Sequence, residues 1–251
     1  MGLLDKIFKK KVCDICGEEI GLLGNRKLED GNLCKACAAK LSPWFSERRE
    51  STVEEIRQQL EYREANKELV AAFHTTKTFG VDTKVLVDEE QKKFMVTSAR
   101  NIGEANPDVM DISMVTGCRI DSQKNRSEIT RKDEEGKSVS FNPKRYTYRF
   151  NVLVIINVNH PYFDEMKFTL TPSPVTIETG PSGREPDPMK DQDYREAIEM
   201  GEQIRAALGQ APEPEPEPAE ASAEVKCPWC GAMTVPTEKG TCAFCGGELE
   251  R

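Results

Sequence analysis

Eight of the nine cysteines fall into four C-x-x-C pairs: Cys13 and Cys16, Cys34 and Cys37, Cys227 and Cys230, Cys242 and Cys245. Seventeen residues separate the first two pairs and eleven the last two. A two-residue spacer lets one tight turn present two sulfurs to the same point, and a tetrahedral thiolate site needs four at about 2.3 Å from the ion. Glycine follows three of the pairs, at Gly17, Gly231 and Gly246, where the chain must turn sharply. The spacing therefore points to metal. Each set supplies four sulfurs and leaves no open position, the pattern of structural rather than catalytic zinc, so two structural Zn2+ ions are expected. Thiolate sets of this kind also accept iron in the rubredoxin manner, which keeps redox work as an alternative.

Other reactive residues are few. Cys118 is the lone unpaired cysteine; strand alternation puts it on one face with Ile112, Met114 and Ile120, which reads as a buried thiol rather than a nucleophile. The only histidines are His74, at the end of a helix, and His160, in a turn before a strand; both read as surface residues. No phosphate-binding loop, dinucleotide fingerprint or paired acid/base motif is present. The catalytic residues expected are none, and the chain is read as not an enzyme.

The elements that must position the sulfurs are legible around them. Within "LEDGNLC", Asp30-Gly31 is a hairpin signal, and "CKACAAKLSPWF" reads as a short helix carrying the second pair and stopped by Pro43. Knuckle, hairpin and helix make a treble-clef-like module over residues 12–46. The C-terminal set, with glycine after each pair, reads as a zinc ribbon over 226–251. Such modules lack an adequate core, so metal should supply most of their folding free energy.

Between them lies a different protein. Residues 51–74 form a connecting helix: Ser51 and Thr52 offer N-caps, with Glu54 and Glu55 as capping-box partners. Val53, Ile56 and Leu60 line one stripe and Leu69, Val70 and Phe73 another, with a polar middle. Residues 75–208 read as a β-rich domain with a C-terminal helix: from residue 80 to 180 the period changes to two, in segments such as "KVLVD", "KKFMVT", "ISMVTGCRID" and "RYTYRFNVLVIINV". In the last of these, Tyr146 to Val158 alternate onto one face, and the other turns apolar only at Leu153 and Ile155, as in a central strand with part of its second face covered. A final helix presents Tyr194, Ile198, Ile204 and Leu208. The fold class is thus α+β: a central antiparallel β domain with a C-terminal helix, for which a pleckstrin-homology-like barrel is the fold-level analogy, flanked by two small four-cysteine modules.

The chain has 251 residues, a formal net charge of -8 and 31% charged residues, a balance that argues against a general nucleic-acid binder. The longest apolar run, Val152 to Ile156, is far short of the roughly 20 residues a membrane span needs. With no secretory pattern at the N-terminus, a cytoplasmic location is expected. Residues 1–11 read as an amphipathic helix, with Leu3, Leu4, Ile7 and Phe8 on one face and lysines on the other: a short interfacial anchor, or a turn that packs on the first module. Residues 209–225 are a Pro/Glu-rich linker, semi-rigid and extended. The basic pairs Lys124/Arg126, Arg131/Lys132 and Lys144/Arg145 read as solvated turns near strand ends.

The segment "CDICGEEIG…KLEDGNLCKACAAKLSPWF" resembles the bacterial family called domain of unknown function 4428, and "NPDVMDISMVTGCRID" and "NVNHPYFDEMKF" look like the β-rich region that follows in members of it. The resemblance implies zinc at Cys13, Cys16, Cys34 and Cys37 and a bacterial source, and no activity. Together these readings describe a non-enzymatic zinc-binding interaction or adaptor protein. Its zinc modules and β domain would dock unidentified protein partners, with weak peripheral membrane contact through the N-terminus. The alternative is a nucleic-acid-binding regulator acting through the fingers, against which Glu238, Glu248 and the acidic linker weigh.

Overall fold

The computed structural model describes residues 11–209, 225–234, 241–242 and 245–248, and the chain divides into two compact units, Met1–Ala211 and Pro212–Arg251. The expected N-terminal helix (Leu3, Leu4, Ile7 and Phe8) and nearly all of the expected linker lie outside the described residues.

In the first unit, β1 (Lys11–Val12) pairs with β2 (Glu19–Ile20), β3 (Arg26–Lys27) pairs with β4 (Asn32–Leu33), and α1 (Lys35–Ala38) follows. The hairpin expected at Asp30-Gly31 is present, but Gly31 is needed for close approach rather than for turn geometry. A Cβ there would sit 2.5 Å from Val53 Cγ2 and 2.8 Å from Asp14 Oδ2. Asp30 in turn accepts from the Val53 N–H at 2.8 Å, so this hairpin seats the start of the next helix.

That helix, α2 (Val53–Ala72), begins at Thr52 in a complete capping box with Glu55. Its two apolar stripes serve two different partners. Ile56, with Val53 and Leu60, packs into a small core with Leu28, Leu33 and Leu41 of the cysteine module. Val70 and Phe73 pack on Leu86 and Met95 of the first sheet and on Val109 just outside it, while Leu69, expected in that stripe, is 40% exposed.

Two antiparallel sheets follow. The first has the order β5 (Lys77–Phe79), β6 (Lys84–Asp88), β7 (Lys93–Thr97), β8 (Met110–Asp111), with the short α3 (Ile102–Ala105) between β7 and β8. In the second, β10 (Ser138–His160) is central: β9 (Val115–Lys132) runs along one edge, and β11 (Phe163–Thr169) and β12 (Val175–Glu178) share the other. Alternation along β6 and β10 sorts their side chains. Val85 and Val87 join Phe150, Val152, Val154 and Ile156 in the core between the sheets, whereas Leu86 turns towards α2. The last helix, α4 (Gln192–Ala207), closes that core with Tyr194, Ala197, Ile204 and Leu208, much as its stripe predicts. Leu153 and Ile155 are buried on the opposite face of β10, as the change in its pattern suggests.

The fold is mixed α and β with antiparallel sheets. Among the described residues no closed barrel forms, because the two sheets are not hydrogen-bonded to each other. β9 and β10 are also longer than expected: beyond β12 they continue as a two-stranded ribbon, interrupted by a bulge between Ser140 and Arg145. The basic pairs lie along β9 and β10 rather than in turns. Arg126 sits 4.5 Å from the Tyr146 ring centroid, Arg131 and Arg145 flank Phe141, and Lys124 and Lys144 pair with Glu185 and Glu128.

In the second unit, β13 (Val225–Lys226) pairs with β14 (Met233–Thr234), and Thr241 forms an isolated bridge with Glu248. The first is a short hairpin and the second a single bridge. No described helix of either unit is long and apolar enough to cross a membrane.

Candidate metal centres

In the first centre the sulfurs of Cys13, Cys16, Cys34 and Cys37 all lie within 4.8 Å of one another. The local chain explains how. Gly17, at φ 77°, donates its N–H to the Cys13 carbonyl at 2.8 Å, closing the knuckle that turns Cys13 and Cys16 together. Cys34 is the N-cap of α1, and its sulfur accepts from the Cys37 N–H at 3.3 Å. Cys13 Sγ accepts from the Cys34 N–H at 3.3 Å, which joins the two halves.

The second centre repeats the device. The sulfurs of Cys227, Cys230, Cys242 and Cys245 again lie within 4.8 Å of one another. Gly231 (φ 75°) and Gly246 (φ 71°) donate to the carbonyls of Cys227 and Cys242, each at 2.9 Å. Sulfur separations are 3.8 Å for Cys16–Cys34, 3.6 Å for Cys227–Cys245 and 3.7 Å for Cys230–Cys242. A tetrahedron with sulfur at about 2.3 Å from its centre has edges of about 3.8 Å, so both sets fit a single four-coordinate ion.

Electrostatics point the same way. Burial raises the Cys13 thiol, but the N–H groups of Cys16, Cys34 and Ile15 outweigh it and bring it down to about 6. Cys37 is pushed far up, by burial first and then by the neighbouring sulfurs. At Cys245 the Gly247 N–H lowers the thiol, but Cys230, burial and the other sulfurs carry it up to about 12. Four sulfurs this close cannot all ionise unaided, and a divalent cation removes that conflict.

Other candidates are placed elsewhere. Cys118 is half-buried, packed with Ile112, Met114 and Ile120 against the inter-sheet core, and burial pushes its thiol up to about 11. His74 is exposed, as expected. His160 is not a surface residue: it ends β10 half-buried, stacked on Phe163 at 4.1 Å and edge-on to Tyr62 at 5.0 Å. The intervening Pro161 turns the chain so that the imidazole folds back on its own hairpin.

Sequence reasoning missed two features. One is the polar middle of α2, where Gln59, Arg63 and Asn66 are buried and, with neighbouring Tyr62, bond to Ser42 of the cysteine module and to Asn106, Pro107 and Asp108 of the β domain. The other is Trp229, inside the knuckle, 75% exposed yet held by a 3.1 Å hydrogen bond from Nε1 to the Glu248 carbonyl. A tryptophan between two ligands was its only signal.

A mixed α and β protein with two four-cysteine clusters, each able to hold a metal ion, is the class these observations define. Residues 11–59 match the family described as Domain of unknown function (DUF4428). The match takes in the first four-cysteine cluster and ends inside α2, so it bears out the resemblance for this module and does not reach the β domain. No curated protein and no solved structure matches the chain.

Proposed function

We propose that this is a zinc-dependent, non-enzymatic interaction protein of the cytoplasm, in which Zn2+ holds both four-cysteine modules and the C-terminal ribbon docks a protein partner. The all-sulfur donor sets and their separations favour zinc in a structural role. Unbridged thiols at both centres suit a reducing compartment.

The observation that carries the docking role is Trp229. Its ring lies against Gly247, where a Cβ would come within 2.6 Å of Trp229 Cδ1, and its N–H is already spent on the chain, yet most of the side chain faces solvent, with Met233 also 54% exposed. A tryptophan fixed in place with its apolar surface bare gives an interface large contact area at little entropic cost. The acidic, proline-rich segment before it suits reach.

The test is affinity capture by the full chain from its native lysate after nuclease treatment, comparing wild type with Trp229→Ala at equal zinc content. Partner recovery should fall about tenfold or more, the range of an interface hot spot. Equal recovery would remove the docking role of the ribbon.

A further inference from the structure

The turn at residues 21–24 carries side chains that turn chemistry does not ask for. The Gly24 N–H donates to the Gly21 carbonyl at 2.9 Å, closing a tight turn whose corners are Leu22 and Leu23. Such corners favour Gly, Pro, Asn, Asp and Ser. Here both are leucine, 88% and 89% exposed, the most exposed large apolar side chains among the described residues. They contribute nothing to any described core, and local violations of this kind mark surfaces that meet something else.

What they meet is constrained by their neighbours. Beside the turn, Arg26, Lys27, Arg48 and Arg49 line a groove of about 730 Å3 in which Glu29 is the one acidic side chain. None of the four bases has an ion-pair partner among the described residues. Arg48 is fixed by a 2.8 Å bond from Nη1 to the Lys27 carbonyl, and burial, then the like charges of Arg49 and Arg26, hold its pKa below the ordinary value. The groove lining therefore carries four positive charges against the single negative charge of Glu29.

We propose that this edge of the first cysteine module docks on an anionic lipid bilayer, Leu22 and Leu23 entering the acyl boundary while Arg26, Lys27, Arg48 and Arg49 meet lipid phosphates. A bilayer offers both chemistries together, an apolar layer directly beneath a sheet of phosphate charge. Nucleic acid offers the phosphates but nothing to receive two extended leucines. Stable attachment takes two signals, and the apolar pair and the basic cluster of this edge are two. The proposal stands independently of what the ribbon binds.

The experiment is sedimentation of the zinc-loaded full chain with vesicles of phosphatidylcholine alone and of phosphatidylcholine with about a third phosphatidylserine. Expected is binding to the anionic vesicles only, reduced at least about tenfold by Leu22→Ser/Leu23→Ser and by Arg48→Glu/Arg49→Glu. Leu22, Leu23 and Arg49 are exposed and Arg48 is half-buried, so unchanged zinc content and melting of each variant check the fold. Leu23→Trp gives a second readout, an added fluorescence blue shift on anionic vesicles. No binding to anionic vesicles, or binding indifferent to both leucines, overturns the proposal. So does a labelled oligonucleotide bound through Arg48 and Arg49 while vesicles are not, which assigns the groove to nucleic acid.

Discussion

Asp108 Oδ1 lies 2.7 Å from Arg63 Nη1, with the carboxylate fully buried and the guanidinium only 7% exposed. Each partner of this pair is tied to a different part of the unit. Asp108 also accepts from Tyr62 at 3.1 Å and from Ser42 Oγ at 2.8 Å, and Arg63 reaches the carbonyls of Lys40 and Asn106. Cysteine module, α2 and first sheet thus meet at one polar hub. Asn66 completes it, donating to Asn106 Oδ1 and the Pro107 carbonyl at 2.8 Å each while accepting from the Val109 N–H.

Removing one charge from that hub leaves the other buried and uncompensated. Arg63→Met should therefore cost about 3–5 kcal/mol in denaturant unfolding of the first unit. The double change Arg63→Met/Asp108→Leu should cost less than the sum of its single changes, since neither stranded charge remains. Should Arg63→Met lie within about 0.5 kcal/mol of wild type, the hub is decoration and the apolar stripes of α2 alone hold the module.

His160 gives the same region a pH dependence. Burial lowers its pKa below the ordinary value, with Asp108 opposing, and its other neighbours, Tyr62, Tyr162 and Phe163, are uncharged aromatics near neutral pH. Its Nδ1 also accepts from the Tyr162 N–H at 3.4 Å, a bond the imidazolium cannot make. The unfolded chain then binds a proton more readily than the fold does. This contribution is whole above the unfolded pKa of about 6.5 and is lost as pH falls through the folded value. Melting of wild type should drop against His160→Phe, which keeps the stacking, as pH goes from about 7.5 to 5.5. A constant gap across that range would show that His160 does not couple to folding.

What the sequence made legible follows from what is periodic or fixed in spacing. Four cysteine pairs announce themselves, and so do Val85/Val87 against Leu86 or Tyr194/Ile204 on α4, because a buried face repeats with its element. The hub does not. Arg63 and Asn66 show only as the polar middle of a helix and Asp108 carries no pattern, since a buried polar group is recognised only by partners some forty residues away. The ribbon of β9 and β10 escapes for a related reason. From Gln123 onward β9 carries no repeating apolar face of its own to betray a strand, although it pairs with β10 as far as Lys132. His160 was misplaced because "NHPY" has turn chemistry, while the packing that buries it comes from Tyr62 on another element.

Gly201 sets the distance between α4 and β9. A Cβ there would lie 2.5 Å from Ile120 Cγ1 and 3.4 Å from Leu170 Cδ1. Alanine is worth about 1 kcal/mol more than glycine inside a helix, but overpacking costs about 1–3 kcal/mol, and Ile120 is partly buried against the same core. Gly201→Ala should lower stability by about 1 kcal/mol, and Gly201→Ala/Ile120→Ala should recover part of that loss relative to Ile120→Ala alone. If Gly201→Ala stabilises instead, helix propensity dominates and α4 has room to move outward.

Metal content discriminates between the readings of the two centres. Zinc in both sets predicts two equivalents per chain and no visible colour, whereas iron would absorb in the visible. Cys227→Ser/Cys230→Ser should leave one equivalent and the melting of the first unit unchanged. Cys13→Ser/Cys16→Ser should lose the other and lower that melting, because Leu28, Leu33 and Ile56 pack in the core those ligands organise. Proton release tests the geometry further. With Cys13 down at about 6, its sulfur is already ionised near pH 7.5, held so by three backbone N–H groups. Zinc binding at the first centre should then release fewer than four protons, as read by calorimetry in buffers of different ionisation enthalpy. Affinity should weaken as pH falls and the thiols regain their protons. Release of a full four protons would mean that the backbone N–H groups do not prepare Cys13 for the metal, and that the ion alone assembles the site.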